Sequence, residues 1–151
     1  MKKKRVKDSA KPSASYENFL RSVRLVAIGL RDCRCSLVRR DYVLVLKERE
    51  SGLTRINAEY KLTDVGPTNF DACGSFSLDI EHRRSKKQVL SVNCSFETHF
   101  HADFAPGSEL PQRFVDSELR LILWPYFREL TSTLTAKMAI RPVVVPLSTD
   151  A

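Results

Sequence analysis

The sequence predicts an α+β fold: an antiparallel β-sheet of about four strands with a long C-terminal helix packed on one face. Three observations predict it. From Leu90 to Asp103 the chain alternates: Leu90, Val92, Cys94, Phe96, Thr98, Phe100 and Ala102 fall on one side, and Ser91, Asn93, Ser95, Glu97, His99, His101 and Asp103 on the other. That is the two-residue period of a strand with one apolar and one wet face. Phe76, Leu78 and Ile80 alternate with Ser77, Asp79 and Glu81 in the same way. Nearer the end, Leu119, Leu123, Phe127, Leu130, Leu134 and Met138 recur at three- and four-residue steps, the spacing of one helix face.

The elements follow in order. Tyr16 to Leu25 carries Phe19, Leu20 and Val23 at helical spacing, so a short helix leads into a strand somewhere in Leu25 to Leu37. Period alone leaves that second stretch ambiguous. Tyr42 to Leu46 is short and uniformly apolar, and a further strand is one reading of it. Ile56, Ala58, Tyr60 and Leu62 alternate with Asn57, Glu59 and Lys61 and predict a strand. Gly66-Pro67-Thr68-Asn69 is a turn-rich connection to the next one. The polar link Arg83-Arg84-Ser85-Lys86-Lys87 joins the two alternating segments as a hairpin. Asp116 is a plausible cap for the last helix, and Pro125 is expected to kink it. Pro142 marks where the chain has left the helix, and prolines at both ends keep residues 142–147 out of any central strand.

Composition bounds the function. The chain has 151 residues, 42% of them hydrophobic, which fits one domain with a modest core. The net charge is +7, and residues 1–14 supply five of those charges through Lys2, Lys3, Lys4, Arg5, Lys7 and Lys11 against Asp8. That segment has almost nothing apolar and is expected to be a disordered basic tail, leaving 15–151 as the single domain. No apolar run follows the first lysines as a signal peptide requires, and no stretch approaches the ~20 apolar residues of a membrane span. A cytoplasmic location is expected. Cys33, Cys35, Cys73 and Cys94 should then be free thiols.

Trp124-Pro125-Tyr126 needs an explanation, because a proline inside a long apolar helical run removes a backbone donor. With the residues around it, Leu123-Trp124-Pro125-Tyr126-Phe127-Arg128-Glu129, then Lys137, then Pro142-Val143-Val144-Val145-Pro146, it resembles the end of the SecB family of protein-export chaperones. The resemblance implies a SecB-like fold and a tetramer, a dimer of dimers whose long helices pack between the sheets of paired subunits. It also implies exposed apolar grooves that hold unfolded polypeptide clients, with no cofactor. The chain departs from the family in ways that matter. Met138-Ala139 stands after Lys137 where a glycine is usual, the family's short C-terminal helix is not found before Ala151, the chain is basic where export chaperones are acidic, and the N-terminal tail is lysine-rich. Client binding is therefore a safer expectation than delivery to an export motor. A SecB-like chaperone attached to a toxin–antitoxin pair, protecting an antitoxin, fits the departures at least as well.

Geometry points the same way. A four-stranded sheet is ~20 Å wide at ~4.8 Å per strand, while one helix covers ~10–12 Å. An apolar strip is left for a second copy of the chain or for a binding groove. The residues expected to line that groove are Trp124, Tyr126 and Phe127, with Ile140, Val143 and Val145 after the helix. For Phe127, on the main helical stripe, a core position is the better reading, while for Trp124, Val143 and Val145 groove and core are about even. Arg128-Glu129 is expected to be a solvated or interface ion pair.

Other chemistry is poorly supported. His99, His101 and Asp103 share a wet strand face, a spacing that any alternating strand produces. Cys33-x-Cys35 is tighter than the usual zinc spacing, so no metal site is expected. No nucleophile, base and phosphate loop converge, and an enzyme is not expected. The rival from another class is a nucleic-acid-binding module using the basic tail, Arg39-Arg40 and the 83–87 turn. It is weakened because the wet face presents Ser91, Asn93, Ser95 and Glu97 where such sheets present rings.

Overall fold

The computed structural model describes residues 16–38, 41–43, 45, 52–103 and 105–147. The basic tail and Arg39-Arg40 lie outside them. A short helix α1 (Tyr16–Ser22) leads into β1 (Arg24–Leu37), followed by β2 (Gly52–Val65), β3 (Asn69–His82) and β4 (Gln88–His101). Two helices close the chain, α2 (Glu109–Ser117) and α3 (Leu119–Lys137). All neighbouring strands are antiparallel, in the order β1-β4-β3-β2. The hairpin at residues 83–85 closes with bonds from Lys86 N to His82 O and from His82 N to Lys87 O.

The two inner strands carry the core. Across β3 and β4 the helix-side pairs are Phe70↔Phe100, Ala72↔Thr98, Gly74↔Phe96, Phe76↔Cys94, Leu78↔Val92 and Ile80↔Leu90. Three of these six pairs, Gly74↔Phe96, Phe76↔Cys94 and Leu78↔Val92, set a large side chain against a smaller one, which lets the layer pack without overlap. Phe19 of α1 and Phe114 of α2 close one end over Phe70 and Phe100, with Phe70 and Phe100 stacked at 4.9 Å. At mid-sheet Phe76 stacks on Phe127 of α3 at 4.8 Å and touches Trp124.

Two expectations need correction. Asp41, Tyr42, Val43 and Val45 are helical rather than extended, with Tyr42 N bonded to Val38 O one turn back. Asp116 does not cap the last helix. It sits inside α2, bonded to Gln112 four residues earlier, and Glu118 is the residue that precedes α3. Helix α2 went unread because its pattern is short, with only Pro111, Phe114 and Val115 buried. The Leu25–Leu37 ambiguity resolves as strand. Its period is broken twice by irregularities in the pairing with β4, between Leu25 and Ala27 and between Leu30 and Asp32.

Candidate functional site

Helix α3 turns Leu119, Leu123 and Phe127 onto the sheet, all fully buried. It approaches closely because β3 has no side chain at Gly74; a Cβ there would overlap Leu123 Cδ1 and crowd Phe76 and Tyr60. Pro125 lies inside the helix and does not end it. It removes only the donor for the Leu121 carbonyl, on a part of the helix open to solvent.

One flank of α3 is covered in part by the chain itself, and a hollow beside Leu121 and Leu147 stays open. Beyond the helix, residues 141–147 run back along it without joining the sheet. Val145 is buried and Val143 half-buried, while Pro142, Val144 and Pro146 are exposed, the alternation of an extended chain, which ends at the exposed Leu147. The attachment is through backbone atoms. Trp124 Nε1 donates to Pro146 O at 2.8 Å, Arg128 Nε to Val145 O at 2.9 Å and Tyr42 Oη to Arg141 O at 3.4 Å. Thr135 Oγ1 accepts from Val143 N at 3.0 Å. Arg128 therefore makes no ion pair with Glu129; its guanidinium is turned toward the carbonyl of Val145.

The opposite flank is open. The ring of Tyr126 lies 6.4 Å from that of Phe96 on β4, and Leu30 of edge strand β1 pairs with Phe96. Tyr126 is 41% exposed, Leu30 49% and Leu25 40%. Ile28, on the same side of β1, is only half-buried. These residues form an apolar strip along the β1 edge that α3 is too narrow to cover, as the widths of helix and sheet require.

The six residues expected to line one groove thus occupy separate places. Tyr126 alone faces the open strip. Phe127 is enclosed beneath the helix. Trp124, Val143 and Val145 meet on the closed flank, and Ile140 is half-buried just past the helix end. Leu25 and Leu30 were missed because strict two-residue alternation fails in β1. Allowing one extra residue at Val26 and one at Arg31 would have placed Leu25, Ile28, Leu30, Cys33, Cys35 and Leu37 on one face.

Comparison with solved structures decides the fold. A SecB-like chaperone of Mycobacterium tuberculosis, solved in complex with a ChAD peptide from the HigA1 antitoxin, superposes with a TM-score of 0.71. The match covers 89% of this chain and 96% of that one at 18% identity. The fold is SecB-like. A protein of unknown function from Streptococcus agalactiae matches more loosely, with a TM-score of 0.50 at 11% identity over 82% of this chain and 96% of that one. No protein-family model matches the chain, and a search of curated proteins finds no match.

Within the SecB-like fold, the missing glycine after Lys137 has a structural answer. Ala139 takes the left-handed conformation itself, at φ 55. The helix closes around it with bonds from Ala139 N to Ala136 O and from Ile140 N to Thr135 O. This is the turn that glycine normally makes at a helix end, formed here by a residue with a Cβ.

On the wet face of the SecB-like sheet polar side chains meet across neighbouring strands. His99 Nδ1 meets the Asp71 carboxylate across β3 and β4, and Arg31 reaches Glu97 at 3.2 Å. Among the described residues no group of three or more His, Cys, Asp or Glu could hold a metal ion. All four cysteines are free. Burial pushes the Cys94 thiol up to about 12, and the neighbouring Cys33 adds to the shift. Burial also raises Cys33, with Asp32 adding to it, and Cys35, with Cys33 adding to it. Among the described residues no helix is long and apolar enough to cross a membrane.

Proposed function

We propose that this chain is a chaperone of the holdase type, which binds unfolded polypeptide segments on apolar surface and does no chemistry. The observation that carries this is the uncovered strip of Leu25, Leu30 and Tyr126 beside the core ring of Phe96. Contiguous apolar surface of this kind marks an interaction site. A client would add many small contributions from buried area, and the free edge of β1 offers backbone pairing to an extended segment. The structural neighbour with a peptide from an antitoxin supports a polypeptide client, and an antitoxin is the client class we favour over cargo for an export motor. The working form is a cytoplasmic homotetramer, a dimer of dimers, in which part of the strip is shared between copies. The wet sheet face presents no Phe, Tyr or Trp for bases to stack on, which disfavours nucleic acid.

The test is suppression of aggregation. A denatured, aggregation-prone polypeptide is diluted into buffer with and without the protein, at low and at high salt, with light scattering giving both aggregation and the mass of the assembly. Suppression at both salts supports the reading, because buried apolar area is little affected by salt. No suppression at either salt overturns it.

A further inference from the structure

Arg120, Trp124 and Arg128 stand four residues apart along one flank of α3. They border a hollow of about 340 Å³ whose other walls are Ser117, Leu121, Pro125 and Leu147. Leu121 is 69% exposed and Leu147 80%, so the apolar walls open to solvent. Arg120 and Arg128 both border this opening. Among the described residues neither Arg120 nor Arg128 has a carboxylate within ion-pair distance. Arg128 spends Nε on the Val145 carbonyl, and its terminal nitrogens make no ion pair. The nearest acids in sequence are Glu118 and Glu129; Glu129 shares a second hollow with Arg128, Ser132 and Val144, yet neither acid is within ion-pair distance of Arg120 or Arg128.

Geometry sets the length of a matching ligand. Eight residues of helix separate the two arginines by ~12 Å along the axis. Four residues of extended chain span ~13 Å, and residues i, i+2 and i+4 of such a chain face the same side. An acidic side chain at i and another at i+4 would reach the two guanidinium groups, with the side chain at i+2 between them over Trp124.

We propose that this flank of α3 binds an extended partner peptide bearing an apolar side chain with a carboxylate two residues away on either side. This rests on the chaperone reading above and narrows it, adding a preference for acidic-apolar segments to binding by apolar area. Charge complementarity carries it: apolar walls alone would not discriminate, while two arginines with no ion-paired acid among the described residues favour carboxylates in paired, bidentate geometry.

The experiment uses the full chain and its single tryptophan. Trp124 emission is titrated with three end-capped peptides of one length, built on Asp-x-Leu-x-Asp, Asn-x-Leu-x-Asn and Lys-x-Leu-x-Lys. The expected result is acidic-peptide binding about tenfold tighter than the amide form, with the lysine form weakest and the preference falling with salt. Arg120→Gln is expected to bring the acidic peptide down to the amide peptide, and Arg120→Lys to recover part of the difference. Circular dichroism confirms that each variant is folded. Equal affinity for the acidic and amide peptides overturns the inference, as does a preference that survives Arg120→Gln. Asp150→Asn separates a partner from the chain's own last residues: a marked gain in acidic-peptide affinity in that variant means that the chain itself fills the site, and overturns a partner peptide. A second copy seated on this flank would leave none of the three peptides binding, which also overturns it. Aggregation suppression of a client free of acidic segments is followed in parallel. Its persistence alongside a lost acid preference removes this inference alone, and its absence removes the chaperone reading as well.

Discussion

The indole of Trp124 is tied to the carbonyl of Pro146, 22 residues later, so the ring that marks the motif also fastens the chain beyond the helix. The partner is a proline, which has no N–H of its own to give and leaves its carbonyl as the polar group at that position. Trp124→Phe keeps most of the buried ring and removes the donor. The expected cost is ~1 kcal/mol in chemical denaturation, the net worth of one hydrogen bond. Proteolysis should also move earlier at residues 142–147; unchanged cleavage there would mean that the segment does not depend on this bond.

At Gly74 the expectation is steric. Gly74→Ala places a methyl group against Leu123, Tyr60 and Phe76, and overpacking of this kind costs ~1–3 kcal/mol. Leu123→Ala alone is also destabilising, because it leaves a cavity. The two together should cost clearly less than their sum, since each substitution relieves the other. Denaturation midpoints of the two single variants and the double variant measure that coupling.

Ala139 gives a prediction of the opposite sign. At φ 55 its Cβ opposes a conformation that glycine adopts freely. Ala139→Gly should stabilise the fold by about 1 kcal/mol and raise Tm by about 2–4 °C. A fall in Tm on thermal unfolding would show that the helix end is not strained.

Cys94 ties stability to alkaline pH. Its folded value is pushed up to about 12 from the ordinary 9.0, so above pH 9 the unfolded chain loses this proton while the folded one keeps it. Fewer protons on the unfolded state mean that stability falls as pH rises. The contribution is fully present below pH 9 and disappears progressively toward pH 12. Cys94→Ser should flatten that part of the curve of urea midpoint against pH. In the wild type, thiol labelling at pH 8 should reach Cys94 only after unfolding.

The open strip and the core make separable predictions. Leu30→Ser and Tyr126→Ser alter exposed side chains and should change stability by no more than about 0.5 kcal/mol each. Together they should weaken aggregation suppression several-fold. Phe127→Ala should instead lower Tm sharply, by an amount matching ~3–5 kcal/mol. Loss of holding activity in Phe127→Ala without loss of stability would place the client beneath the helix rather than beside it.

The parts of the fold legible in the sequence were those with an unbroken period. β4, the middle of β3 and the stripe of α3 repeat cleanly because one face is buried along their whole length. β1 was obscured by its two irregularities, and α2 by its single turn of buried contacts. Of the strip proposed as the site, only one residue was legible. Tyr126 could be picked out as an aromatic beside a proline, but no local pattern shows that Trp124 would be covered by residues 142–147. That depends on where an extended chain without strand partners comes to rest, which is set by four bonds spread from Tyr42 to Thr135.

The strand order has a consequence for the order of assembly. β2, β3 and β4 are joined to their neighbours by short turns and can pair as soon as each is made. β1 has no such neighbour: it must wait for β4, with Leu37 meeting Leu90 and Arg24 meeting His101. On a ribosome the first strand emerges with Leu25, Ile28 and Leu30 uncovered and stays so through the synthesis of the next three. For that interval the newborn chain is the kind of polypeptide that its finished form is proposed to hold.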